Sequence, residues 1–186
     1  FMKFLRSARK IHRSTNQIVE NTSRYWNSGA NAGYEYVIKP EIKYSQKQLE
    51  EFPNIIKDPR LIVTLDDIIT NNKIIVEHLF ICLRDFEQCS LSRIKSKVDL
   101  KFNHHKGIAG KGDTELEKHK DFFRTSFGLL FETIARHGIE TTILQFPRFC
   151  REPDYLHSKL MGTPLEMQFN EVLQHHSNVV DLSQIN

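Results

Sequence analysis

The sequence predicts an α/β protein, three-layered, with a mostly parallel sheet flanked by helices. Leu79-Phe80-Ile81-Cys82-Leu83 is an unbroken apolar run of strand length, the pattern of a strand buried on both faces. Thr141-Thr142-Ile143-Leu144-Gln145-Phe146 is a second such run, stopped by Pro147. Amphipathic stretches with helix signals lie between them, and strand–helix–strand alternation builds a parallel sheet.

Each element has its own local warrant. Residues 2–24 are rich in helix formers and carry Lys3, Arg6, Arg9, Lys10 and Arg13; Trp26–Gly33 reads as a loop. Gln46–Phe52 reads as a short helix stopped by Pro53, and Pro59 opens another that runs through the Ile68-Ile69 and Ile74-Ile75 pairs. Arg84-Asp85 ends the first strand, and a helix from Phe86 to Lys95 follows. Val98–Phe102 reads as a short strand. Thr114-Glu115-Leu116-Glu117 is a capping box. From it Leu116, Phe123, Phe127, Leu130, Phe131 and Ile134 keep helical spacing up to Gly138, the left-handed cap. Pro153 opens a helix ending near Gly162, and Thr163-Pro164-Leu165-Glu166 reads as a second capping box. The tail from Ser177 is expected to fray.

Composition narrows the function classes. A chain of 186 residues with 39% hydrophobic and 26% charged residues is expected to form one domain over residues 1–186, and disorder is excluded. A net charge of +3, from 26 basic and 23 acidic residues, is too small to predict a nucleic-acid partner. No apolar run approaches the ~18 residues of a transmembrane helix, so no membrane partner is expected. Cys82, Cys89 and Cys150 are odd in number and show no CxxC spacing, so they read as reduced core thiols of a cytoplasmic protein. No His or Cys spacing matches a zinc site, and no metal is expected. The apolar segment Leu165–Leu173 is compatible with packing on a partner, including a second copy of the chain.

In sheets of this kind ligands bind beyond the carboxyl ends of the strands. Two segments fall there, Arg84 to Arg93 and Pro147 to Asp154. Arg84 directly follows the first strand, where the next helix begins with free amides and a favourable dipole. Ser92 lies about two helical turns on. A bidentate arginine and a serine hydroxyl are suited to grip one phosphate. The alternative is a surface arginine paired with Asp85 or Glu87.

The stretch from Ile81 to Arg93, with Arg84-Asp85-Phe86 and Ser92 eight residues after Arg84, resembles the second nucleotide-binding segment of the sulfotransferase family. In that family the arginine and serine hold the 3′-phosphate of PAPS, the activated sulfate donor. The resemblance implies that role for Arg84 and Ser92, with PAP as product and no metal. Phe86 stands where the family commonly has proline. Lys57-Asp58-Pro59-Arg60-Leu61 looks like the Lys-Asp-Pro-Arg-Leu stretch of bacterial-type members, and implies that Lys57 and Arg60 place positive charge near the transferring group. Phe146 to Asp154, followed by Leu160-Met161-Gly162, is similar to the pattern that closes these domains; the resemblance covers residues 55–162.

Sulfuryl transfer needs cations on the leaving side and a base for the acceptor hydroxyl. No residue is assigned as that base, and the acceptor, a small molecule or a carbohydrate, is not specified. The family's Gly- and Ser-rich phosphate loop has no counterpart in residues 1–50, so it is expected upstream of Phe1. Lys106–Asp113 is not a Walker A sequence, because its spacing is wrong and Asp113 stands where Ser or Thr belongs. Two other functions stay open: a non-catalytic binding or scaffold protein of the same descent, and another P-loop-type nucleotide-dependent transferase.

Overall fold

The computed structural model describes residues 38–50, 52, 55–96, 108 and 110–180. The expected helix over 2–24, the loop Trp26–Gly33, the strand Val98–Phe102 and the end of the tail lie outside the described residues. The chain divides into two compact units, one of residues 60–147 and one of residues 1–59 with 148–186.

The first unit is α/β, with helices flanking a small parallel sheet. In chain order it holds α2 (Leu61–Asn72), β1 (Leu79–Leu83), α3 (Phe86–Lys95), α4 (Glu115–His137) and β2 (Thr141–Gln145). The strands pair in parallel, from Leu79 opposite Thr141 to Leu83 opposite Gln145. Two bonds frame the pair: Leu79 N–H to the Glu140 carbonyl at 2.8 Å, and Phe146 N–H to the Leu83 carbonyl at 2.7 Å. Because the strands are parallel, both carboxyl ends share one edge.

Leu65, Ile81, Leu130 and Ile139 form the central core of this unit, with Leu61, Ile69, Leu79, Phe127 and Ile134 packed around them. A second cluster joins Val63, Ile108 and Phe122. The capping box at Thr114 forms as expected: its hydroxyl accepts the Glu117 amide, while the Glu117 carboxylate accepts the Thr114 amide at 2.9 Å. These donors hold the Glu117 carboxyl below its usual range. Gly138 closes α4 at φ 61°. Upstream, Gly110 lies so close to α4 that a Cβ there would fall on the Lys118 carbonyl, and Lys111 N–H donates to Asp121 at 2.8 Å.

Several expectations are corrected. α2 stops at Asn72, where Lys73 turns left-handed at φ 53°, so Ile74 and Ile75 are outside it and Ile75 is 87% exposed. The turn between the Ile68-Ile69 and Ile74-Ile75 pairs carries no Gly or Pro to mark it. β1 is not buried on both faces. Ile81 is buried while Cys82 is exposed, and across the register Leu144 is fully buried while Ile143 is exposed. Each strand is thus covered on the opposite side from its neighbour. The thiols are not core residues: Cys82 is exposed, and Cys89 and Cys150 are half-buried. On α4, Phe131 is exposed, and Phe122, outside the expected stripe, is buried with His119, Ser126 and Thr133.

Among its described residues the second unit holds α1 (Gln46–Glu50), α5 (Arg148–Arg151), α6 (Pro153–Leu160) and α7 (Phe169–Val179). α1 is shorter than Gln46–Phe52, and Tyr44 meets Phe52 edge-on at 5.0 Å. Thr163–Glu166 is not a capping box. Thr163 donates to the Leu160 carbonyl at 2.7 Å, and the Glu166 carboxylate turns back to the Gly162 amide at 2.9 Å, making a turn. The next helix starts later, where the Glu171 carboxylate accepts the Gln168 amide at 3.0 Å. Leu165, Met167 and Val172 are buried within the chain, Leu173 is 45% exposed, and α7 runs past Ser177 to Val179. Among the described residues, no helix is long and apolar enough to cross a membrane.

Candidate functional site

The carboxyl edge of the β1–β2 pair carries the candidate site. Leu83 is the last residue of β1, so Arg84 projects from the edge that the parallel register dictates. Its guanidinium lies over the ring of Phe146, the residue that follows β2, with Cζ 5.0 Å from the ring centroid. Its Nε–H donates to Gln88 Oε1 at 3.3 Å, one turn into α3.

α3 begins here because Asp85 is its N-cap, and the Asp85 carboxylate accepts the Gln88 amide at 2.9 Å. The helix terminus that would attract an anion thus already holds a carboxylate on one amide. Ser90, not Ser92, is the buried serine of α3, and its hydroxyl donates to the Phe86 carbonyl at 2.6 Å. Ser92 is exposed, about 9 Å along the helix from Phe86 at 1.5 Å per residue. Its carbonyl accepts the Ser96 amide at 3.0 Å.

Arg60 is the first residue of this unit. It caps the amino end of α2, where its carbonyl accepts the Val63 and Thr64 amides at 2.9 and 3.0 Å. Ile62 and Val63 belong to the cluster that includes Phe122 and Phe123, two turns into α4. Phe86, two residues after Arg84, stacks on that same Phe123 at 5.9 Å and on Phe127 at 5.2 Å. Lys57 lies in the other unit. So does the segment from Arg148, where the Arg148 guanidinium meets Glu152 at 2.7 Å and lies 4.4 Å over the Tyr155 ring.

Four residues of this end have no site role assigned from the sequence. Arg93 is half-buried, with its guanidinium 5.6 Å from the centroids of both Phe122 and Phe123, and burial draws its pKa down. Cys89 feels both Arg84 and Arg93, but burial outweighs them and raises its thiol pKa, so it is a poor nucleophile. Gln88 and Phe146 orient Arg84. Gln88 follows Arg84 by one helical turn, a signal present in the sequence; Phe146 reaches it only through sheet pairing, which leaves no local trace. Among the described residues no group of His, Cys, Asp and Glu is arranged to hold a metal.

An oriented guanidinium at a helix start can bind an oxyanion by charge and paired hydrogen bonds. Neither a family model, a curated protein nor a solved structure matches the chain.

Proposed function

We propose that the chain is sulfotransferase-like and transfers a sulfuryl group from PAPS to an acceptor hydroxyl, using a three-layer fold of the P-loop type. The observation that carries this reading is Arg84, set at the shared carboxyl edge of two parallel strands and immediately before α3. PAPS supplies the activated sulfuryl group; Arg84 would hold its 3′-phosphate with Ser92 farther along the helix. Arg60, in the same unit, would add positive charge on the leaving side. The acceptor is a small molecule or carbohydrate, and the setting proposed is cytoplasmic.

The test is thermal unfolding of the complete protein with millimolar PAP, and with 5′-AMP as control. A ligand at 100 times its Kd stabilises by about 2.7 kcal/mol. A shift with PAP that 5′-AMP does not match supports the reading, and equal or absent shifts reject it.

A second reading, a non-catalytic binding protein of the same descent, is favoured by Asp85. Its carboxylate sits on the Gln88 amide at 2.9 Å, where a donor phosphate would otherwise approach the helix start. PAP binding without sulfuryl transfer to any acceptor would select it.

A further inference from the structure

We infer that Phe146 and Gln88 are positioning residues that set the preference of Arg84 for a 3′-phosphorylated nucleotide; this rests on the donor reading above. A guanidinium is planar, so its direction is fixed once one face and one edge are held. Phe146 holds the face, at 5.0 Å from Cζ, within the ~6 Å range of cation–π attraction. Gln88 holds the Nε edge at 3.3 Å.

Both supports are themselves fixed by regular structure. Phe146 donates its amide to the Leu83 carbonyl at 2.7 Å, so the sheet register places its ring. The Gln88 backbone N–H donates to Asp85, so the helix cap fixes the backbone from which its side chain reaches Arg84. Arg84 is therefore aimed from two elements, β2 and α3, and the direction of its Nη groups follows.

The chemistry of the supports also matters. A carboxylate on the same edge would compete with an anionic ligand. A ring face and an amide oxygen are neutral supports, and neither competes with an anion. An arginine aimed before binding loses less freedom when it closes on a phosphate in bidentate fashion. The advantage applies to a ligand with a phosphate at that point, which PAP has and 5′-AMP lacks.

The experiment measures Kd for PAP and for 5′-AMP with the complete protein, in wild type, Phe146→Leu, Phe146→Tyr and Gln88→Ala, with the melting temperature of each. Phe146→Leu is expected to weaken PAP about fivefold and leave 5′-AMP unchanged, while Phe146→Tyr keeps the wild-type ratio. Gln88→Ala is expected to weaken PAP about threefold. Gln88 is exposed, so that variant carries the test if Phe146→Leu melts too low. Folded variants that keep the wild-type PAP to 5′-AMP ratio overturn the positioning role and leave the donor reading standing. A tyrosine variant as weak as the leucine variant overturns the ring-face role. A wild type that does not prefer PAP overturns the donor reading, and this inference with it.

Discussion

At the carboxyl edge of the sheet Arg84 lies over the Phe146 ring and donates to the side-chain oxygen of Gln88. At the other end of the same unit Arg136 and His137, in the last turn of α4, both close on the Asp66 carboxylate of α2 at 2.8 Å. The Phe146 ring and the Gln88 side chain are neutral, whereas the groups that meet at Asp66 can cancel charge. The second arrangement ties two helices together. The first aims a cation, which is what a reversible anion site requires.

The largest change should strike both ends together. Leu130 is 6% exposed and packs in the core cluster that joins α2, β1 and α4. Leu130→Ala is expected to cost about 2–5 kcal/mol in chemical denaturation, by lost burial and the cavity left behind. A cost below 1 kcal/mol would show that the two ends do not share a core.

Arg84→Ala should separate the ends. It is expected to weaken PAP about 10- to 100-fold, the loss of a hydrogen bond to a charged group, while stability changes by less than ~0.5 kcal/mol. Unchanged PAP affinity would remove Arg84 from the site.

Along α4 the comparison can be made within one helix. Thr114→Ala removes the cap at the amino end and is expected to cost about 1 kcal/mol. Hydrogen exchange should then quicken in the first turn of α4 and stay slow near His137. Uniform acceleration would mean that α4 opens as one unit.

Asp66→Asn is expected to have the smallest effect, about 1 kcal/mol or less near neutral pH, because Arg136 is 59% exposed and screened by water. The His137 hydrogen bond, and then Arg136, hold the Asp66 carboxyl below its usual range against the opposing effect of burial. A depressed folded value means the stabilisation is complete above the unfolded value, near pH 4, and is lost as pH falls through the folded one. The gap between wild type and Asp66→Asn should therefore close below about pH 4. A gap that persists in stronger acid would show that shape, not charge, is lost.

Local signals were the legible ones. The bounds of β1 and of α3 match those read from the sequence, because the apolar run ends at Arg84-Asp85 and Asp85 supplies its own cap. The Thr114 box and the Gly138 cap were legible for the same reason. The Thr163 box failed because its residues had a second local solution, with Glu166 reaching Gly162. The exposure of Cys82 was hidden because an apolar strand does not reveal which neighbour covers which face. The site was half legible. Arg84 could be placed at a strand end, but its partner Phe146 depends on a register between distant segments.

That register has a kinetic meaning. β1 and β2 are parallel neighbours separated in the chain by α3, α4 and the segment between them, so their pairing closes a long loop. Contacts of such separation form late and slowly, after the entropy of the intervening chain has been surrendered. Arg84 comes to rest on Phe146 only when that closure is complete. During refolding, Arg84 should therefore gain its aim together with the last tertiary contacts of the unit, and not with the early helices.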